Sequence, residues 1–214
     1  YQSLYLKKYF PLEFMVAVLN NGGGFYSIET YVQEIKMQGG IVEKPCINNS
    51  LSETIIQNKT IYLGFQLIKD LEVRTIQKVI ESRSTFGIFE SFDDFIDRVP
   101  ISLEQLIILI RIDAFRFTRL DKHQIMWEAH LKVIKKPCDV SAPKLFHSRS
   151  VSFKLPEITT NKLIDAYDEM ELIGFPLNGY FNLIEKYFVK NILAKDIPLF
   201  ENKQITIFGK LITL

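Results

Sequence analysis

Two closely spaced helix start signals set the strongest limit on what this chain can fold into. Ser91 is followed three residues later by Asp94, and Ser102 by Gln105, which is the spacing of a capping box. Apolar residues follow each signal at helical spacing, namely Phe92, Phe95, Ile96 and Val99, then Leu103, Leu106, Ile107 and Ile110. Short helices that begin so close together predict packed helical hairpins.

Helical periodicity extends over most of the remaining chain. Pro11 begins one predicted helix, and Ser27 caps another that ends at Gly39. The other predicted apolar faces are Leu12, Met15, Val16 and Leu19; Ile28, Tyr31, Val32 and Ile35; Val73, Ile76, Val79 and Ile80; Leu120, Trp127, Leu131 and Ile134; Leu163, Ala166, Tyr167 and Met170; and Phe181, Ile184 and Phe188. The predicted fold class is therefore mainly α.

Aromatic residues on these helices are predicted to lie in the core. Trp127 belongs to a predicted apolar face, which favours packing over base stacking. Tyr1, Tyr5 and Tyr9 recur every four residues, which predicts that their side chains pack against the next helix.

The predicted β structure is short. Extended pieces are expected between Ile41 and Thr60, with a brief strand from Thr60 to Phe65. Residues 137–160 contain three prolines and are predicted to form a linker. Residues 204–214 alternate as a strand does, but no partner strand follows them, which predicts a domain cut off after its first strand.

Composition limits the possible environment and chemistry. The chain has 214 residues, 47% of them hydrophobic, and a net charge of +1, so it can bury a core and is not basic as a whole. Cys46 and Cys138 form no CxxC pair, and His123 and His130 lack further ligands at metal spacing. No signal peptide or membrane-length apolar run is present, which predicts a cytoplasmic protein without membrane contact. The absence of an initiator Met predicts that the natural protein is longer.

Charge is distributed unevenly along the chain. Residues 84–104 carry five acids and Arg98 alone as a base, whereas residues 111–136 carry seven bases and three acids. A phosphate-binding surface is therefore predicted in the second stretch.

Seven short segments occur in a fixed order, among them YFPLEFM, PCINNS, FESFDDF and LIGFPL. They occupy residues 1–15, 26–34, 45–50, 61–69, 89–98, 109–115 and 169–177. Together these segments resemble the bacterial DNA polymerase III alpha subunit, a family C polymerase with replicative and error-prone branches.

The resemblance implies a domain organisation. Residues 1–59 would be the end of the fingers, and residues 60–136 a tandem helix-hairpin-helix module. Residues 137–160 would be a linker and residues 161–203 a helical connector. Residues 204–214 would be the first strand of a truncated OB-fold.

The resemblance also implies a function in DNA replication. The expected partners are duplex or primed DNA and the other domains and subunits of the polymerase. The palm carboxylates and Mg²⁺ of this nucleotidyltransferase family lie upstream, so this chain alone is predicted to be inactive and to hold no cofactor. Asp93 and Asp94 form an adjacent acidic pair, but a capped helix N-terminus explains them better than metal binding.

Two functions remain open from the turn chemistry. The family has Lys-Gly-x-Gly in its first hairpin, where this chain has Lys69-Asp70-Leu71-Glu72, and Asp113 replaces a glycine assigned to the second hairpin. The module therefore either binds DNA or serves as an interaction scaffold without DNA contact. Lys69 and Arg74 form a first cluster of basic residues, and a second cluster consists of Arg111, Arg116, Arg119 and Lys122. The second cluster, especially Arg116 and Arg119, is predicted to contribute more to DNA binding than the first. The candidate DNA-binding residues are Arg111, Arg116, Arg119, Lys122, Lys69 and Arg74.

Overall fold

A computed structural model describes residues 1–134, 162–183, 192–207 and 209, and within them helices predominate. The α-helices are α1 (Gln2–Tyr9), α2 (Pro11–Asn20), α3 (Ile28–Met37), α4 (Val73–Phe86), α5 (Phe92–Arg98), α6 (Leu103–Arg111), α7 (Lys122–Ile134) and α8 (Lys162–Leu172). Short 3-10 helices lie at Phe65–Leu67, Arg116–Thr118, Tyr180–Leu183 and Ala194–Phe200. The mainly α fold class is confirmed.

The β structure is one small sheet. Its strands are β1 (Ile41–Glu43), β2 (Ile55–Gln57) and β3 (Thr60–Tyr62), in the order β1-β3-β2. β1 runs parallel to β3 with Ile41 opposite Thr60, and β2 runs antiparallel with Ile55 opposite Tyr62. Gly64 follows β3, and an added Cβ there would lie only 2.4–2.6 Å from the backbone of residues 52–54. Glycine therefore lets β3 leave the sheet close to that segment.

Two of the three predicted serine caps form, at Ser91 and Ser102, whereas the Ser27 side chain makes no capping hydrogen bond to α3. The Ser91 hydroxyl accepts the amide of Asp94 at 3.1 Å, and the Ser102 hydroxyl accepts the amide of Gln105 at 3.4 Å. The helices that follow enclose an aromatic cluster, in which the Phe115 ring meets the Phe92 and Phe95 rings edge-on at 5.2 and 4.9 Å between centroids. α5 and the segment after α6 are thus packed onto each other.

One hydrophobic core joins the helices and the sheet. Met15 of α2, Ile35 of α3, Ile61 of β3 and Leu106 of α6 are all almost completely buried within it. Arg83 of α4 crosses to the segment after β1, where its guanidinium donates to the carbonyls of residues 47 and 50 at 2.6 and 2.8 Å. Burial lowers the pKa of this Arg83 guanidinium.

Two predictions about aromatic residues are wrong. Trp127 is 47% exposed because the buried face of α7 contains Ile125 and Ala129 instead. α1 buries none of its residues, and Tyr5 and Tyr9 are 56% and 58% exposed. Their rings contact each other at 4.6 Å between centroids and do not reach the core.

The predicted C-terminal strand does not begin where expected. Residues 204–207 and Gly209 are irregular, and the other residues of this segment lie outside the described part of the chain. The predicted linker 137–160 and the helix positions Ile184 and Phe188 also lie outside the described residues.

Candidate nucleic-acid interface

The first helical hairpin consists of the 3-10 segment Phe65–Leu67, a turn at residues 68–72 and α4. Asp70 has a φ of 62°, in the left-handed region that favours glycine, at the position where the family pattern has Gly. The amide of Lys69 donates to the carbonyl of Leu172 at 2.8 Å. The turn is therefore fixed at one end by the residue that ends α8.

The second hairpin consists of α5, a turn at residues 99–102 and α6. Asp113, which the family pattern assigned to the second hairpin, lies after this hairpin, in the segment between α6 and α7. Its φ of 64° is left-handed, as expected at a glycine position of the family pattern. The turn itself carries no basic side chain, and Ser102 caps the helix that follows it.

The two hairpin turns lie side by side. The Gln105 side chain of α6 accepts the amide of Glu72 at 2.7 Å and donates to the carbonyl of Asp70 at 3.0 Å. In the opposite direction, Lys78 Nζ of α4 donates to the carbonyl of Pro100 at 3.0 Å. Each hairpin thus bonds to the turn of the other.

Three of the predicted DNA-binding cations are exposed. Lys69 lies in the first turn, Arg74 in the first turn of α4, and Arg119 after the second 3-10 segment, where its φ of 59° is left-handed. Asp70 and Glu72 are exposed beside Lys69, so its positive charge is partly offset locally.

Two other predicted cations, Arg111 and Lys122, form ion pairs with α8. Arg111 Nε lies 2.8 Å from Asp168, and its terminal nitrogen bonds to Glu171. Lys122 Nζ lies 3.0 Å from Asp165 and also contacts Asp168. The hydrogen bond that Arg111 donates to Glu171 raises the pKa of Arg111 and lowers the pKa of Glu171. These two cations are therefore already neutralised by internal partners.

Arg116 joins the end of β1 to the segment after α6. Its guanidinium donates to the carbonyls of Lys44 and Pro45 at 2.8 and 3.0 Å and lies 3.4 Å from the Glu43 carboxylate. Asp113 lies beside it, and burial raises the pKa of the Asp113 carboxyl against the opposing effect of Lys44. Arg116 thus has a structural role in this conformation.

The adjacent acids Asp93 and Asp94 are engaged in separate contacts. Asp94 pairs with Arg98 and accepts the amide of Glu90 at 3.0 Å, while Asp93 pairs with Lys132. The interpretation of this pair as part of a helix start agrees with these contacts.

Two residues that organise this surface were not predicted from the sequence as site residues. Gln105 was identified as a capping-box residue only, although its side chain reaches the other hairpin. Asp168 binds both Arg111 and Lys122. The acidic run from Asp165 to Glu171 was the available signal, because a cluster of acids suggests nearby cationic partners.

Comparison with known proteins identifies the family. The helix-hairpin-helix motif family matches residues 39–125, which include both hairpins. The DNA polymerase III subunit alpha of Borreliella burgdorferi is 37% identical over 215 aligned positions, covering 91% of this chain and 19% of the relative. The chain belongs to the bacterial DNA polymerase III alpha family.

Error-prone polymerases are also similar to this polymerase III alpha family member. That of Corynebacterium glutamicum is 25% identical over 180 positions, covering 81% of this chain and 17% of the relative. That of Mycobacterium tuberculosis is 26% identical over 140 positions, covering 64% and 13%. The chain thus spans less than one fifth of the length of these relatives.

Two further structural findings concern metals and membranes. Among the residues that the structure describes, no three His, Cys, Asp or Glu side chains are grouped as a metal site requires. Within the described residues of this chain, no helix is long and apolar enough to cross a bilayer.

Proposed function

We propose that this chain positions duplex or primed DNA within a bacterial polymerase of the DNA polymerase III alpha type. The observation that carries the proposal is the side-by-side arrangement of the two hairpin turns, at residues 68–72 and 99–102, inside the matched helix-hairpin-helix region. Paired turns of this kind can contact the DNA backbone and fix its register without reading bases. The proposed role in replication implies a cytoplasmic location.

The first hairpin is proposed to contribute more to DNA binding than the second cluster, which reverses the ranking from sequence. Lys69 and Arg74 are exposed beside the first turn. Arg111 and Lys122 are neutralised by α8, and Arg116 donates to backbone carbonyls. Only exposed cations can neutralise DNA phosphates, and so release the counterions of the DNA, without first losing an internal partner.

The nucleotidyl-transfer centre is proposed to lie outside this chain. Asp93 and Asp94, the adjacent acids considered for it, are occupied by Lys132 and Arg98. We expect no primer extension by the pure chain with Mg²⁺ and all four dNTPs. Extension that a substitution within this chain abolishes would contradict this part of the proposal.

The scaffold alternative is favoured by one observation, the acidic character of the first turn. Asp70 and Glu72 would repel a phosphate that approaches the turn backbone. In that case the hairpins would pack against other polymerase domains without touching DNA.

Titration of the chain with duplex and single-stranded DNA, at about 50 and 200 mM salt, separates the two functions. Each phosphate contact adds about −0.9 to the slope of log K against log salt on duplex DNA. Replacing Lys69 and Arg74 with Ala should weaken binding and flatten this slope by about one to two units.

Two matched variants complete the experiment. Lys8→Ala with Lys59→Ala removes the same charge from exposed positions outside both hairpins and should leave the slope nearly unchanged. Arg116→Ala with Arg119→Ala should flatten the slope by at most about one unit, from Arg119. Absence of binding by the parent chain at low salt would support the scaffold function instead.

A further inference from the structure

Gln105 stands in an unusual position for a neutral polar residue. It occupies the first turn of α6 and is 7% exposed, yet both ends of its side-chain amide are hydrogen-bonded. In a capping box the third helical residue bonds back to the amide of its own cap. Here only the Ser102 half of the box forms, and the Gln105 side chain bonds to the turn of the other hairpin.

We propose that Gln105 is a positioning residue for DNA binding, which holds the turn of the first hairpin in register with the second. The inference rests on the proposed function, because it concerns how the two turns act together on DNA. Gln105 itself does not contact DNA, since its side chain is buried and its polar atoms are occupied.

The two hydrogen bonds of Gln105 restrain the part of the first turn whose backbone conformation is least favourable. Its Nε2 donates to the carbonyl of Asp70, whose backbone is left-handed, and its Oε1 accepts the amide of Glu72. Residues other than glycine populate the left-handed region at a cost, so the surrounding structure must maintain it. Without Gln105, both backbone groups lose their partner and the turn can relax.

The remaining contacts of the turn cannot replace Gln105. The Lys69 amide is anchored to Leu172 on one side of Asp70, but that bond leaves the other side of the turn unrestrained. Lys78 ties α4 to Pro100 through an exposed side chain, which constrains the second turn more than the first. Gln105 is thus the buried link between α6 and the first turn.

A positioning role predicts a specific binding signature. Gln105 carries no charge, so its loss removes no phosphate contact and should not change the salt slope. The affinity should fall nonetheless, because the two turns no longer present their contacts in one fixed geometry. Loss of Lys69 or Arg74 would instead change both the affinity and the slope.

The test compares Gln105→Leu with Ser102→Ala in the full chain. Both substitutions weaken the start of α6, but Ser102→Ala leaves the two bonds to the first turn in place. Under conditions where both variants are folded, Gln105→Leu should bind a duplex about tenfold more weakly with the same salt slope. Ser102→Ala should bind within about twofold of the parent, and amide exchange at Glu72 should accelerate in Gln105→Leu alone.

A second variant keeps the inference testable if Gln105→Leu does not fold. Gln105→Glu retains the size and the acceptor for the Glu72 amide but loses the donor to Asp70, so an intermediate loss of affinity is expected. If the parent chain and both Gln105 variants bind the duplex with equal affinity, the positioning role is overturned and the proposed function stands. Failure of the parent chain to bind would overturn both.

Discussion

Glu169 and Lys44 form an ion pair that is nearly closed to solvent. A carboxylate oxygen of Glu169 lies 2.8 Å from Lys44 Nζ, with side-chain exposures of 4% and 21%. The other oxygen accepts the amide of Leu177 at 2.7 Å. This pair links the segment that contains α8 to the end of β1.

Removal of the Glu169 carboxylate should destabilise the fold strongly. Glu169→Ala leaves Lys44 partly buried with only the more distant Asp113 carboxylate, 4.0 Å away, to offset its charge, and it leaves the Leu177 amide without its acceptor. This loss should cost about 3 kcal/mol. Glu171→Ala is the matched control, because its side chain is 63% exposed, and an exposed pair is worth less than about 1 kcal/mol. Urea unfolding measures both, and equal losses would contradict the prediction.

Asp113 should make stability depend on pH. Burial raises the pKa of its carboxyl in the folded chain, so the native state binds this proton more tightly than the unfolded state does. Stability from this group is therefore lost as pH rises through the folded pKa. Asp113→Asn should stabilise the chain more at pH 7 than at pH 4, as measured by urea unfolding. Glu81→Gln, which removes an exposed carboxylate of α4, is the control. A larger gain at pH 4 would show the opposite sign.

Neutralising the exposed acids of α8 should strengthen DNA binding. Asp165→Asn with Glu171→Gln weakens the hold of α8 on Lys122 and Arg111. We expect an affinity about three- to tenfold higher at low salt and a slope steeper by about one unit. Glu81→Gln with Glu90→Gln gives the same charge change at other exposed positions. Equal gains from both pairs would mean that only net charge matters.

Glycine at position 70 should give a more stable chain than alanine. Its left-handed backbone places a Cβ in conflict with the following carbonyl, which costs about 1 kcal/mol. Asp70→Gly should therefore be about 1 kcal/mol more stable than Asp70→Ala. In the middle of α4, Glu81→Gly should instead be less stable than Glu81→Ala by a similar amount. Thermal unfolding of the four variants checks this reversal of sign.

Local signals in the sequence predicted much of the helical structure. Ser91 and Ser102 form the expected caps because a cap depends on residues only three positions apart. Met15 and Leu19 are buried as their spacing predicts. The family pattern marked positions 70 and 113 as glycine sites, and both have left-handed backbones.

Contacts between distant segments could not be predicted in this way. Arg111 and Lys122 looked like free cations because Asp168, their shared partner, lies 57 and 46 positions further along the chain. Gln105 satisfied the local pattern of a capping box, and only the packing of the two hairpins redirected its side chain. Trp127 was misplaced because an apolar stripe does not say which of its residues meets a neighbouring helix.

The bond between Lys69 and Leu172 has a consequence for the order of folding. The hairpins form from contacts near in sequence, whereas docking of the α8 segment closes a long loop, as the bond from Lys36 to Leu177 across 141 positions illustrates. Closure of long loops is entropically costly and slows the contacts that depend on it. We therefore expect the first hairpin turn to acquire its last anchor late, after its own helices have already formed.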